Sequence, residues 1–276
     1  MENMRWLNPT DLSSPPGDGL EFVPVKSAGR VLTLIQLLTE HGQGLTFTEL
    51  QEVTGWPRSS LYGLVRTMAE RNHLSFNSQT QKYRIGIRLW EAGQGFEQGV
   101  ELVDLAMPHL EAAREQLGET VQLAVLDGIE NIYIAKSEAS HTLRLDSFVG
   151  ARLTAFATGI GKVLLAGLEE AELDHRLRNV ILFAYTSTTI TDMVALREVL
   201  RKIRTQGYAL DNQEYSLGVC CYAVPIYGSK GTVVASVSVS IPSVRVSQGV
   251  EAEALRVLSE TSRSLSAELG YSPQSK

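Results

Sequence analysis

The first residues with recognisable chemistry are residues 158–162 (Thr-Gly-Ile-Gly-Lys), which stand at the start of a predicted helix. A helix start has unsatisfied backbone N–H groups and the positive end of the helix dipole, and small residues there let an anion come close. Phe156 and Val163 exclude a nucleotide-binding phosphate loop, because that loop needs a glycine and a serine or threonine at these positions. The segment therefore predicts either an anion pocket or a helix that Thr158 simply caps.

A second polar group is the strictly alternating strand at residues 236–241, with three serines on one face and Val237, Val239 and Ile241 on the other. Such a serine face is usually solvated. If it lines a cavity instead, the hydroxyls of Ser238 and Ser240 have the spacing to hold a carboxylate.

Asp211 and Cys221 are the other candidate site residues. Asp211 could accept a hydrogen bond from a ligand hydroxyl or a water, or it could cap a turn. Cys221 shares a strand face with apolar residues, which favours an inert buried thiol. The sequence has no Cys-x-x-Cys, no histidine pair at metal-ligand spacing and no Gly-x-Ser-x-Gly turn. It therefore predicts no catalytic residue, no metal site and no cofactor.

The predicted helix at residues 57–71 suggests a different activity. Leu61, Leu64, Val65 and Met68 form its inward stripe. A helix that is apolar on one face and short and polar on the other fits the major groove of DNA, where its first residues meet base edges. The candidate DNA contacts are Arg58, Ser59, Ser60, Tyr62 and Arg66 on this helix and Lys82 and Arg84 on the following hairpin.

The elements around that helix have the order of a winged helix-turn-helix. Helices are predicted at residues 27–40 and 48–53, the latter with Leu50 and Val53 inward, and a hairpin is predicted from Leu74 to Ile85. The alternative is an ordinary three-helix packing unit with a charged exterior.

Charge separates this segment from the rest of the chain. The 276 residues carry a net charge of −6, yet residues 25–90 hold eight basic against four acidic residues. A basic segment can bind a polyanion through phosphate neutralisation and counterion release, although an unevenly charged surface is the simpler explanation. The 43% apolar and 20% charged residues exclude collagen-like, wholly disordered and membrane-spanning classes. We find no secretory signal, and two adjacent cysteines argue against a disulfide framework, so we expect a cytoplasmic protein without a membrane partner.

The length predicts about two domains. Residues 1–24 are rich in proline and glycine and predict a mobile arm, and residues 87–99 predict a linker helix followed by a helix at 100–117. The remaining predicted strands are at residues 121–127, 132–136, 143–148, 219–226 and 232–241, and the remaining helices are at 161–168, 194–206 and 250–269. The fold class is α+β.

Both halves resemble the IclR-type transcriptional regulators. The segments that resemble the family's DNA-binding domain lie within residues 25–86, at 27–32 (SAGRVL), 55–62 (GWPRSSLY) and 83–86 (YRIG). The segments that resemble its effector domain are residues 153–166, 189–192, 207–208, 218–225 and 236–242.

The resemblance implies a GAF-like effector domain at residues 100–272, with a curved antiparallel sheet flanked by helices. It also implies a pocket for a small organic acid, formed by Gly159, Ile160, Asp211, Cys221, Ser238 and Ser240 with apolar walls at Leu145 and Leu153.

We therefore expect a ligand-responsive regulator rather than an enzyme. It would bind a palindromic operator on double-stranded DNA as a homodimer, or as a dimer of dimers, and control a catabolic operon. Two alternatives are a thiol-dependent redox enzyme that uses Cys221 and an architectural DNA-binding protein without a ligand.

Overall fold

The computed structural model describes residues 25–94, 97–139 and 147–272. The predicted arm, Leu145 and most of the predicted strand at 143–148 lie outside these ranges, and residues 147–148 are not part of a strand. The chain divides into two compact units, Met1–Gln98 and Gly99–Lys276.

The first unit is helical with a small antiparallel sheet whose strand order is β1-β3-β2. The elements are α1 Lys26–Glu40, β1 Leu45–Thr46, α2 Phe47–Thr54, α3 Arg58–Glu70, β2 Leu74–Asn77, β3 Lys82–Ile85 and α4 Ile87–Gln94. Its core is formed by Leu34, Leu38, Leu50, Leu61 and Val65, which are all fully buried. The predicted helix-helix-turn-helix-hairpin order is confirmed.

Local signals fix the turn between α2 and α3. Thr46 and Glu49 form a capping box, in which the backbone N–H of Thr46 donates to the Glu49 carboxylate at 2.7 Å. These hydrogen bonds from Thr46 lower the pKa of Glu49. Gly55 ends α2 with a φ of 63°, a conformation that glycine adopts without strain. Val53 was expected to face inward, but 59% of it is exposed, because the short α2 turns mainly Leu50 toward the core.

The second unit is built on a six-stranded antiparallel sheet with the order β6-β5-β4-β9-β8-β7. Its strands are β4 Thr120–Asp127, β5 Glu130–Ser137, β6 Arg152–Thr154, β7 Ala209–Asn212, β8 Val219–Tyr227 and β9 Val233–Pro242. Its helices are α5 Glu97–Leu117, α6 Gly159–Ala166, α7 Glu170–Leu177, α8 Met193–Gln206 and α9 Gln248–Glu268.

Two apolar clusters sandwich this sheet. One joins α5 and α9 to the face that carries Val121, Val237 and Val239. The other joins α6, α7 and α8 to the opposite face through residues such as Ala124 and Ala223. Strands buried on both faces explain the long apolar runs of β4, β8 and β9. The expected mixed α+β fold with a curled antiparallel sheet is confirmed.

Four short elements were not predicted. These are β1, β6, α7 and β7, of which three are strands of two to four residues. The three strands are too short to show a hydrophobic period, and α7 is a helix of only eight residues that buries Leu173 and Leu177. The helix predicted to start at residue 161 begins two residues earlier, because α6 starts at Gly159. Among the described residues, no helix is long and apolar enough to cross a membrane.

Candidate DNA-binding surface and ligand pocket

The outer face of α3 carries the residues predicted to contact DNA. Arg58, Ser59, Tyr62 and Arg66 are exposed, and Ser60 is half-buried. Their basic and hydroxyl groups sit on one side of a helix whose other side packs into the core. The hairpin residues Lys82, half-buried, and Arg84, exposed, lie on β3, the central strand of the small sheet.

Several of these side chains already have partners. The Arg30 guanidinium donates to the Ser60 hydroxyl at 2.6 Å and lies 4.9 Å from the centre of the Trp56 ring. Arg66 pairs with Glu70 at 2.7 Å, and Arg84 donates to the backbone carbonyl of Gln43 at 3.1 Å. Exposed pairs of this kind are weak, so DNA phosphates can compete for both arginines.

Phe47 is a positioning residue that sequence reasoning missed. The Arg58 guanidinium lies 5.3 Å from the centre of the Phe47 ring, and the Tyr62 ring packs edge-on against it at 6.2 Å. The first residue of α2 thus holds two candidate DNA contacts of α3. Arg30 was also missed, because its contact with Ser60 joins residues 30 positions apart.

A shallow groove runs between the starts of α1 and α3. It is lined by Lys26, Ser27 and Arg30 on α1 and by Ser59, Ser60, Gly63, Leu64 and Thr67 on α3. A Cβ at Gly63 would meet no atom within 4 Å, so this glycine leaves part of the outer face of α3 open.

In the second unit, α6 begins against the sheet with a capped end. The Thr158 hydroxyl accepts a hydrogen bond from the backbone N–H of Gly161 at 3.1 Å and donates to Asn131 at 2.7 Å. The capping alternative is therefore confirmed. Thr158 also lines a cavity at this helix start, so the two alternatives are compatible.

That cavity brings together seven residues of the predicted pocket. Its volume is about 30 Å³, and Leu153, Gly159, Ile160, Asp211, Cys221, Ser238 and Ser240 line it. The eighth, Leu145, lies outside the described residues. Thr158, from the predicted anion-binding segment, also lines it, and sequence reasoning missed the other lining residues, namely Tyr133, Tyr215, Ser216 and Val219.

Strand register explains why distant residues meet here. Asp211 on β7 lies opposite Cys221 on β8, and Cys221 lies opposite Ser240 on β9. These three residues therefore form one row across neighbouring strands, and the Cys221 sulfur lies 3.3 Å from the Ser240 hydroxyl. Across the next pair, β4 places Gln122 opposite Ser238.

The serine face of β9 is buried, so its interpretation as a solvated surface is wrong. Ser236 donates to the carbonyl of Val224 at 2.9 Å, and Ser240 donates to Gln122 at 3.1 Å. Ser238 is 1% exposed and lines the cavity. Within the part of the chain that the structure describes, its hydroxyl has no hydrogen-bond partner, which leaves a polar group available to a ligand or a water.

Burial controls the ionisation of the pocket. It raises the pKa of Asp211 to about 6, and it raises the pKa of the Cys221 thiol well above its ordinary value. A thiol with a raised pKa is a poor nucleophile at neutral pH, which argues against redox chemistry at Cys221. Asp211 also caps a turn, because its Oδ1 accepts the backbone N–H of Glu214 at 2.7 Å.

No metal centre is evident in the described ranges, where no three His, Cys, Asp or Glu side chains are grouped to hold an ion.

A winged helix-turn-helix with a basic outer face, joined in one chain to a sheet-and-helix unit with a polar pocket, defines a transcriptional regulator. Two family models support this class: the IclR helix-turn-helix domain matches residues 27–77, and the bacterial transcriptional regulator IclR C-terminal domain matches residues 96–267. The chain belongs to the IclR family of transcriptional regulators.

Individual relatives agree with this assignment. The HTH-type transcriptional regulator XynR of Escherichia coli K12 is 34% identical over 247 residues, which cover 90% of this chain and 98% of that protein. The crystal structure of the Thermotoga maritima IclR matches with a TM-score of 0.73 and 30% identity, over 89% of this chain and 99% of that one. An IclR homologue from Microbacterium hydrocarbonoxydans, complexed with 4-hydroxybenzoate, has the same fold, with a TM-score of 0.78, 24% identity and coverage of 88% and 99%. The named relatives are transcriptional regulators, not enzymes.

Proposed function

We propose that this regulator binds a small organic acid in the cavity at the start of α6 and that the acid changes its affinity for a palindromic operator, in control of a catabolic operon. Residues 25–86 would form the DNA-binding domain and residues 100–272 the effector domain, with residues 87–99 as the linker and residues 1–24 as an arm. The protein would act as a homodimer or a dimer of dimers. The observation that carries the sensing half is the position of Ser238 on the wall of the cavity, beside the capped start of α6.

The polar groups of the cavity suit a carboxylate. The backbone N–H groups at Gly159 and Ile160 belong to the first turn of α6, where the helix dipole favours a negative charge. The Ser238 hydroxyl can supply a further donor, whereas the Ser240 hydroxyl already donates to Gln122, and Leu153 and Ile160 supply an apolar wall. A few converging polar groups in an otherwise apolar cleft are typical of small-molecule sites.

Ligand binding is tested by thermal unfolding of the full chain with a panel of aliphatic and aromatic acids that includes 4-hydroxybenzoate. A ligand at about 100 times its Kd adds about 2.7 kcal/mol to the stability of the folded state, so Tm should rise with concentration. Replacing Ser238 and Ser240 together by alanine should abolish this rise, whereas the exposed Ser259→Ala control should keep it. If no acid raises Tm, the protein is a DNA-binding protein without an acid effector.

The DNA half is tested at α3. Arg58→Ala and Arg66→Ala should each weaken operator binding and reduce the slope of log K against log salt by about one if each arginine contacts one phosphate. Arg201→Ala, an exposed arginine of α8, removes the same charge from the other unit and should leave the slope unchanged. Wild-type affinity in both α3 variants would show that α3 is not the recognition helix.

Binding as a dimer is tested by changing the spacing between the two half-sites of the operator. Two copies related by a two-fold axis would place their recognition helices about 34 Å apart or at a multiple of that distance. Inserting about five base pairs between half-sites rotates one half-site by about half a turn and should abolish cooperative binding. Equal affinity for a single half-site would contradict a dimeric operator complex.

A further inference from the structure

Two buried carboxylates share one buried lysine beside the cavity. The Lys162 ammonium of α6 donates to Glu214 at 2.5 Å and to the carbonyl of Leu210 at 2.8 Å. Asp211 is 4% exposed and Lys162 is 1% exposed, so water screens neither charge well. With all three groups ionised, the cluster carries a net charge of −1.

The excess negative charge has little compensation. Within the described residues, the Glu214 Oε2 atom is buried and has no hydrogen-bond partner. Several titratable groups interact electrostatically with Asp211. They are Lys162 on α6, Glu214 in the turn after β7, Tyr133 on β5, and Cys220 and Cys221 on β8. Lys162 is the cation among them, and Glu214 already takes one of its hydrogen bonds.

An organic acid in this cavity would add a second negative charge next to Asp211, because Asp211 and the helix start at Gly159 line the same small space. Their approach is close: a Cβ on Gly159 would lie 3.5 Å from the Asp211 Cβ. Two carboxylates confined to the same small cavity cannot both stay ionised at low cost, and one of them takes up a proton.

We propose that Asp211 takes up a proton from solvent when the cavity captures a carboxylate, so that acid and proton bind together, and that the Lys162–Glu214 pair sets the pH at which this occurs. The inference rests on the proposed acid-binding function. The only bond change is a proton transfer: hydronium or a buffer acid gives up a proton and becomes water or the buffer base, and an O–H bond forms on the Asp211 oxygen that does not accept from Glu214, which then donates a hydrogen bond to the bound carboxylate. Asp211 Oδ1 keeps its hydrogen bond from the Glu214 backbone throughout.

The size of the effect follows from the pKa of Asp211, which burial raises to about 6. At about pH 7 roughly nine in ten copies of Asp211 are ionised, so capture should take up about 0.9 proton per site. Since the protonated fraction falls tenfold for each pH unit above about 6, the affinity for an ionised acid should fall about 50-fold between about pH 6 and pH 8.

The test uses glycolate and fluoroacetate, which have nearly the same size and stay ionised over about pH 5 to 8, while fluoroacetate has no hydroxyl to donate. Titration calorimetry of the full chain in two buffers of different ionisation enthalpy counts the protons taken up on binding. Both acids should bind with about 0.9 proton at about pH 7 and with close to 0.1 at about pH 5. If glycolate binds without proton uptake and fluoroacetate does not bind, Asp211 stays ionised and accepts the ligand hydroxyl. That result would overturn the proposal but leave acid binding intact.

Variants separate this linkage from a structural role. Asp211→Asn keeps the oxygen that accepts from Glu214 and imitates the protonated acid, so its affinity should not change between about pH 5 and 8 and no proton should be taken up. Glu214→Gln keeps an acceptor for Lys162 but removes one negative charge, which lowers the pKa of Asp211 and should move the pH profile to lower values. An unshifted profile in Glu214→Gln would refute the role of the pair. Glu198→Gln, at an exposed glutamate of α8, is the control and should match wild type. If neither acid binds the wild-type protein at any of these pH values, both the acid-binding function and the linkage fail.

Discussion

Gly161→Ala tests the packing that forms the cavity wall. A Cβ at this position would lie 2.3 Å from the Ala155 Cα atom and 2.4 Å from the Ala155 carbonyl oxygen. Both are backbone atoms of the three-residue turn that precedes α6, so no side chain can rotate away to relieve the overlap. The Thr158 hydroxyl at 2.6 Å would be displaced as well, and with it the cap of α6.

Two opposing free-energy effects determine how much Gly161→Ala changes the stability. Alanine favours a helix interior over glycine by about 1 kcal/mol, whereas overpacking a close-packed site typically costs about 1–3 kcal/mol and more where backbone must move. We therefore expect Gly161→Ala to lower the free energy of unfolding of the second unit by about 2 kcal/mol or more and to abolish acid binding.

The matched control is Gly63→Ala, also a helical glycine, whose added Cβ meets no atom within 4 Å. At Gly63 only the higher helix propensity of alanine acts, so the free energy of unfolding should rise by about 1 kcal/mol. The assay is urea unfolding followed by circular dichroism, which reports the whole chain, and by the fluorescence of Trp56 and Trp90, which lie in the first unit. A Gly161→Ala protein as stable as wild type would refute the close approach of α6 to residue 155.

Three further predictions address caps, hydroxyls and charge. Thr46→Ala removes the capping box of α2 and should cost the first unit about 1 kcal/mol in urea unfolding. Ser236→Ala leaves the buried Val224 carbonyl without its donor and should cost about 1–3 kcal/mol, whereas Ser238→Ala removes an unpartnered hydroxyl and should cost less than about 0.5 kcal/mol in the same assay. Because burial raises the pKa of Asp211 from 3.8 to about 6, this residue favours the folded state most below about pH 4, and that contribution of about 3 kcal/mol is lost as pH rises to about 6. The unfolding free energies of wild type and Asp211→Asn should therefore diverge as pH rises through this range, with Asp211→Asn relatively more stable at high pH. Parallel plots of unfolding free energy against pH would contradict the raised pKa.

Periodicity together with turn residues predicted most of the first unit, although β1 is too short to show a period. Helices α1 and α3 bury apolar residues at helical spacing, α2 buries Leu50, and the turn between α2 and α3 carries a left-handed glycine, so the signals are local. The contacts that position the DNA-facing side chains are not local. Arg30 reaches Ser60 and Phe47 supports Arg58 across different elements, and no spacing rule connects such pairs.

The pocket, in contrast, could not be assembled from local sequence signals. Its residues are spread from Tyr133 to Ser240, and the hypothesis that most of them share a site came from the resemblance to a family rather than from any period. Cross-strand register explains the convergence, because β7, β8 and β9 align Asp211, Cys221 and Ser240 in one row. Tyr133 escaped notice since β5 joins the same sheet from its other side, and the alternation of β5 does not mark which face meets α6.

The size of the cavity shows how capture of an acid must act on the fold. The cavity volume of about 30 Å³ is small for a carboxylate with its attached carbon, so binding of an acid needs part of the wall to move. All eight residues of α6 are buried, and close-packed interiors do not deform continuously, so the wall formed by α6 resists movement. Leu153 belongs instead to β6, an edge strand of three residues that pairs with β5 alone, so it is less tightly held by the sheet than the central strands are. Under the proposed acid-binding function, an acid that gains contacts with the start of α6 would displace β6, and the position of this edge strand would distinguish the occupied from the empty state.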